Sequence, residues 1–202
     1  DLIVIGSNFT GNSAKEGGAI YGNGPHIYID DSNFTENSAK SSRGGAIYAD
    51  KWLHVGNSSF ESNTAKGKGG AIYTDFIKFD KVNKFIKNSA DGHGGAIYTS
   101  TVSKTIGNLV FDGNHANSDF GGAIYINKNC GNIYLYNSVF TNNYAIAGDG
   151  GAIYSDSDST SLNLRNCTFN NNHATQGVAK RYGGAICCKG SVYVNSSTFK
   201  DN

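Results

Sequence analysis

The chain has 202 residues, a formal net charge of +1 and 16% charged residues, so no charge excess favours nucleic acid or an anionic membrane surface as a partner. No apolar run approaches a transmembrane span, which argues against direct membrane insertion by this stretch. Of the 27 glycines, 14 fall in seven Gly-Gly pairs, the mark of a repeated backbone feature and not of a flexible linker.

From the N-terminus, two tetrapeptides alternate without exception. FxxN begins at Phe9, Phe34, Phe60, Phe85, Phe111, Phe140, Phe169 and Phe199; GGAI begins at Gly17, Gly44, Gly69, Gly94, Gly121, Gly150 and Gly183. The Phe-to-Phe intervals are 25, 26, 25, 26, 29, 29 and 30 residues, a period that predicts a solenoid of stacked coils. The fold expected is all-β: a right-handed, single-stranded parallel β-helix of about eight coils, forming one domain over residues 1–202. At about 4.8 Å per rung, eight rungs give a rod on the order of 35 to 40 Å long. The chain starts inside a strand and stops on the Asn of an FxxN, so it reads as an uncapped segment of a longer protein.

Successive residues of a strand face opposite ways. After each GGAIY comes a small or apolar residue (Gly22, Ala49, Thr74, Thr99, Ile126, Ser155, Cys188), then a polar one in every coil (Asn23, Asp50, Asp75, Ser100, Asn127, Asp156, Lys189). That contrast points Ile20, Ile47, Ile72, Ile97, Ile124, Ile153 and Ile186 inward. Tyr21, Tyr48, Tyr73, Tyr98, Tyr125 and Tyr154 then form an outward ladder with hydroxyls in water. The next stretch of each coil alternates two apolar residues and ends in a small residue and the Phe, as in Ile27, Ile29, Ser32, Phe34 or Leu162, Leu164, Cys167, Phe169. The Phe file stacks inside, and Asn12, Asn37, Asn63, Asn88, Asn114, Asn143 and Asn172 follow at a buried corner, where amides can bond their own and neighbouring coils.

GGA plus an aliphatic residue, alternating with FxxN, resembles the repeat of the chlamydial polymorphic outer membrane proteins. The longer FxxNxA and GGAIY form is similar to repeats of methanogen adhesin-like proteins and of some protist surface proteins. The resemblance covers the whole chain, departing at Cys187 in a Tyr slot and at Lys78 to Phe85, where the strand register is irregular. It implies an extracellular, cell-surface or outer-envelope location and a role in adhesion or envelope structure. A rival fold is the leucine-rich repeat, whose spacing of apolar residues is close to that of the second strand; the scarcity of Leu and the second β-patterned stretch at GGAIY count against it.

No catalytic, metal or cofactor site stands out from the repeat. The paired aspartates Asp30 with Asp31, Asp75 with Asp80, and Asp156 with Asp158 lie in different turn slots, and His93, His115 and His173 are variants of repeat positions. No His and Cys spacing matches a zinc site. Cys130, Cys167, Cys187 and Cys188 allow three pairings between which their spacing cannot choose. Glycosylation sequons stand at Asn8, Asn33, Asn57, Asn166 and Asn195. The Tyr ladder is the candidate binding face, as a flat strip for a sugar or a flat protein surface, with cross-strand stabilisation as its plainer explanation. Lys180, Arg181 and Tyr182, in the longest turn, form a candidate loop contact.

These features predict a non-enzymatic surface module meeting an unknown protein or glycan on a cell surface. Two alternatives stay open: a polysaccharide lyase or hydrolase whose catalytic coils lie outside this stretch, and a fibre subunit that stacks on copies of itself.

Overall fold

The repeat bends its backbone at fixed places. In the coil that starts at Gly44 the left-handed region is occupied by Gly44 (φ 65°), Asn57 (φ 43°) and Ser62 (φ 55°). The computed structural model, which describes residues 1–175 and 181–202, repeats these three bends in the other coils, and between them run three strand segments. Each segment pairs in parallel with its counterpart one coil away. The result is a parallel β-solenoid with no helix among the described residues.

A nine-stranded sheet carries the GGAI strands, an eight-stranded sheet the Phe strands, and a seven-stranded sheet the short strands after the corner Asn. A fourth sheet of four strands, beginning at Thr105–Gly107, separates in the later coils. Its cause is visible in chain length. Ile47–Gly56 and Ile72–Asp80 run through without a break, whereas later coils insert residues between Ile124 and Ile133 and between Ile153 and Leu162.

Ile47, Ile72, Ile97, Ile124 and Ile153 are buried in one file, and Phe34, Phe60, Phe85, Phe111, Phe140 and Phe169 are fully buried in another. Neighbouring Phe rings lie 4.7–4.9 Å apart and within 8° of parallel. The rings therefore tile at the rung spacing, and each rests on identical neighbours.

Two corners are wired by polar side chains. At the FxxN corner the Oδ1 of each Asn accepts from both the backbone N–H and the side-chain amide of the previous Asn, as when Asn63 donates twice to Asn88 at 3.0 Å. At the other corner the N–H of Ser7 and of Ser32 donates to the Ser hydroxyl one coil on, at 3.1 Å. Asn83 takes that place in the third coil, accepting from the Ser58 N–H at 3.1 Å, and Leu109 fills the slot in the next.

The irregular register near Lys78 has a simple origin. Ala49 pairs with Thr74 and Trp52 with Phe76, so the lower strand bulges by one residue there. The chain regains it between Asp80 and Asn83, with Lys81 in the left-handed region (φ 59°). Ile77 and Phe79 thereby keep the inward slots of Leu53 and Val55.

Candidate binding face

The six tyrosines do stack as a ladder, with centroids 4.8–5.4 Å apart and planes within 9°. They do not form an open strip. Tyr21 is exposed, Tyr73 is half-buried, and Tyr48, Tyr98, Tyr125 and Tyr154 are buried. The expectation of hydroxyls in water fails because the turn before each Gly pair folds over the sheet. Arg43 lies over Tyr73 at 5.0 Å and Lys68 over Tyr98 at 4.8 Å. His93 covers Tyr125 at 4.4 Å and Phe120 covers Tyr154 at 4.6 Å. In each case the residue just before Gly-Gly covers the Tyr of the next coil. Two cation–π contacts and two ring stacks thus seal a second, smaller hydrophobic cluster. Burial, with the nearby Asp50, pushes the Tyr48 phenol up to about 12, and burial with Tyr73 does the same to Tyr98.

Asp156 anchors one end of this cluster. Its carboxylate accepts from the Tyr125 hydroxyl at 2.7 Å and pairs with Lys189 at 2.6 Å. Burial opposes ionisation, yet the hydrogen bonds from Lys189 and Tyr125 outweigh it and hold the Asp156 pKa below the usual carboxylate value. A carboxyl with a lowered folded pKa stabilises above its unfolded pKa and loses that contribution as pH falls through the folded one. Asp156→Asn should therefore flatten the acid limb of thermal unfolding below about pH 4. An identical pH slope in the variant and the parent would refute this role.

The other candidates are scattered. Asp30 is paired with Lys81 at 2.7 Å, Asp31 accepts from Asn57 at 2.5 Å, and Asp75 accepts from Ser100 at 3.0 Å. Among the described residues no three His, Cys, Asp or Glu side chains converge as a metal site would require. The four cysteines are free thiols, with Cys167 buried at the Ser corner and Cys187 packed against the Tyr cluster. Burial raises the pKa of Cys130, Cys167 and Cys187. Asn8, Asn33, Asn57, Asn166 and Asn195 are all exposed. Of the loop contact, Lys180 lies outside the described residues, Arg181 is half-buried, and Tyr182 is exposed with its N–H donating to Asp149 at 2.9 Å.

An open aromatic surface occurs instead on the outer side of the strands His26–Asp30, Ile47–Gly56 and Ile72–Asp80. His26, Trp52 and Phe76 stand in one file across three coils, and Tyr28, His54 and Lys78 in the next. Trp52 is 47% exposed with its ring 4.2 Å from Phe76, and Tyr28, 37% exposed, stacks on His54 at 4.7 Å. Beside them runs a shallow groove of about 460 Å³ whose rim carries Asp30, Lys78, Asp80 and Lys81. The sequence signal was available: these residues occupy the alternate positions between inward Ile27, Ile29, Leu53, Val55, Ile77 and Phe79.

A stack of parallel coils with Ile, Phe and Asn files inside and an aromatic surface on one sheet defines a β-helix repeat protein. A family model described as the Chlamydia polymorphic membrane protein (Chlamydia_PMP) repeat matches residues 6–23, 31–50, 57–75, 84–100, 108–127, 137–156 and 166–189, and the chain belongs to that family. Neither a curated protein nor a solved structure matches it. The family is one of surface-associated outer membrane proteins, which gives the chain a coarse address in the cell envelope.

Proposed function

We propose that the chain is an adhesin-like module of an extracellular surface, and that the face it offers a partner is the Trp52 surface and not the Tyr ladder. One observation carries the reading: Trp52 stands half open to solvent, its ring tilted against Phe76 at 4.2 Å, on the outer side of a three-coil sheet. Large aromatic side chains on a rigid support lose little entropy on binding and supply much contact area. The same residues contribute nothing to the inner Ile and Phe files, so coil geometry does not account for them.

The test is retention of beads coated with the chain on epithelial monolayers and erythrocytes under flow. Trp52→Ser with Phe76→Ser should keep the parent's β-sheet circular dichroism and lower retention at least tenfold, an anchor loss of about 1.4 kcal/mol or more. Unchanged retention by the folded variant would remove this face from the function.

A further inference from the structure

We infer that the fourth sheet carries a peptide-binding slot, built for an extended segment with an aromatic residue two positions from an acidic one. The slot is separate from the Trp52 surface and lies on the outer side of the strands Asn132–Tyr136, Ser161–Arg165 and Ser191–Asn195. A gap in a file of rings is the first ground. Tyr134, Asn163 and Tyr193 pair in register across three coils. Two tyrosines therefore stand two rungs apart, about 9.6 Å, with a short amide between them. Where rings occupy successive coils of this solenoid, the Phe and Tyr files place one ring per rung, at 4.7–5.4 Å. The gap at Asn163 is thus one ring deep. Tyr134 is half exposed, and among the described residues neither it nor Tyr193 has a stacking partner. Asn163 forms the floor, its amide lying down to donate to the Ile133 and Ser161 carbonyls at 3.4 Å.

Charge is the second ground. The cleft around the gap has a volume of about 440 Å³, and the neighbouring file adds Tyr136, Arg165 and Asn195 to its lining, with no carboxylate among the described residues. Arg165 is exposed, and among the described residues it pairs with no acid. Tyr136 does not cover it. A Cβ on Gly107 would fall 2.7 Å from the Tyr136 ring, so that ring leans back over the earlier coil. An unpaired guanidinium beside a slot walled by rings asks for a carboxylate held next to an aromatic group.

Spacing is the third ground, and it selects a peptide. Asn163 and Arg165 are alternate residues of one strand, about 7 Å apart on its outer face. Alternate side chains of an extended peptide have the same separation, so a segment laid along Ser161–Arg165 drops a ring into the gap as it sets an acid on Arg165. A nucleic acid strand would call for a row of cations along its phosphates, whereas the cleft holds one.

The probe is the unlabelled heptapeptide Gly-Ser-Tyr-Ser-Glu-Ser-Gly, titrated with the full chain and read from the magnetisation transferred to its tyrosine ring protons. It should bind saturably with a Kd of about 10 μM to 1 mM. The same peptide with lysine for glutamate, or with alanine for tyrosine followed on its other protons, should bind at least tenfold more weakly. Asn163→Tyr fills the gap with a third ring. It should abolish binding while the β-sheet circular dichroism is kept and the melting temperature holds or rises. Arg165→Gln, an exposed change, should keep the fold and bring the glutamate and lysine peptides to equal affinity. Binding that survives Asn163→Tyr, or a glutamate preference that survives Arg165→Gln, overturns the inference. So does the lack of saturable binding up to about 10 mM. Phenylacetate that displaces the peptide at equal concentration would make a free aromatic acid sufficient, and tighter binding of an oligothymidylate would make this a nucleic-acid site; either result refutes the peptide.

Discussion

Gly95→Ala is expected to cost more than about 4 kcal/mol and to break the rod at its middle coils. The second glycine of each pair lies where two coils touch backbone to backbone. A Cβ at Gly95 would fall 2.5 Å from the carbonyl carbon and 2.6 Å from the nitrogen of His115, with the Gly122 carbonyl oxygen closer still. None of these can step aside without opening the parallel ladder, so the methyl has no place to go. Gly131→Ala supplies the control. Gly131 is left-handed (φ 62°) with nothing within 4 Å of its missing Cβ, so alanine there should cost only the left-handed strain of about 1–2 kcal/mol. Urea titration followed by circular dichroism ranks the two, and limited proteolysis should cut Gly95→Ala between coils. Equal stability of the two variants would show that coil contact is not what the second glycine is for.

Removing one rung of the amide ladder should be the next most damaging change. Asn88 accepts twice from Asn63 and donates to the Phe60 carbonyl at 2.9 Å and to Asn114 at 3.0 Å, and it is fully buried. Asn88→Ala strands the Asn63 donors in a dry corner, at a cost of about 3–5 kcal/mol given about 1–3 for each orphaned group. Asn88→Asp asks a different question. The carboxylate still accepts from Asn63 but faces two oxygens where the amide donated, so it must hold a proton to fit. Its folded pKa should then be raised, and the variant should lose stability as pH climbs above about 4, the unfolded value. A pH-independent deficit in Asn88→Asp would show that the donor side of the amide carries no weight.

Much of this molecule is legible from the order of residue types along the chain. Alternation of small and polar residues after GGAIY told inside from outside for Ile47 and Tyr48 alike, because a strand has only two faces. What it could not tell was what else folds onto the outer face. The residues that cover the ladder, Arg43, Lys68, His93 and Phe120, share a slot but not a chemistry. A repeat found by identity passes over such a file. The Trp52 surface was hidden for a related reason. The positions between the inward Leu53 and Val55 carry no repeated residue type, and only the extra residue between Ala49 and Trp52 brings Phe76 under Trp52. Leu109 in a slot of hydroxyls is a third case: a buried apolar side chain fits there without any polar partner.

The wiring at the FxxN corner has a direction. From Asn12 to Asn172 every bond between corner amides runs the same way, each donating to the Oδ1 of its C-terminal neighbour, while from Asn37 on the second amide hydrogen goes to a Phe carbonyl of the coil before. Aligned amide dipoles add along a line, as they do in a helix, so the corner amides give the rod an electrical polarity that its near-zero net charge conceals. A whole coil can be copied or deleted without reversing that sense. Such a rod can change its length in unit steps while the two directions along it remain distinguishable to whatever binds it.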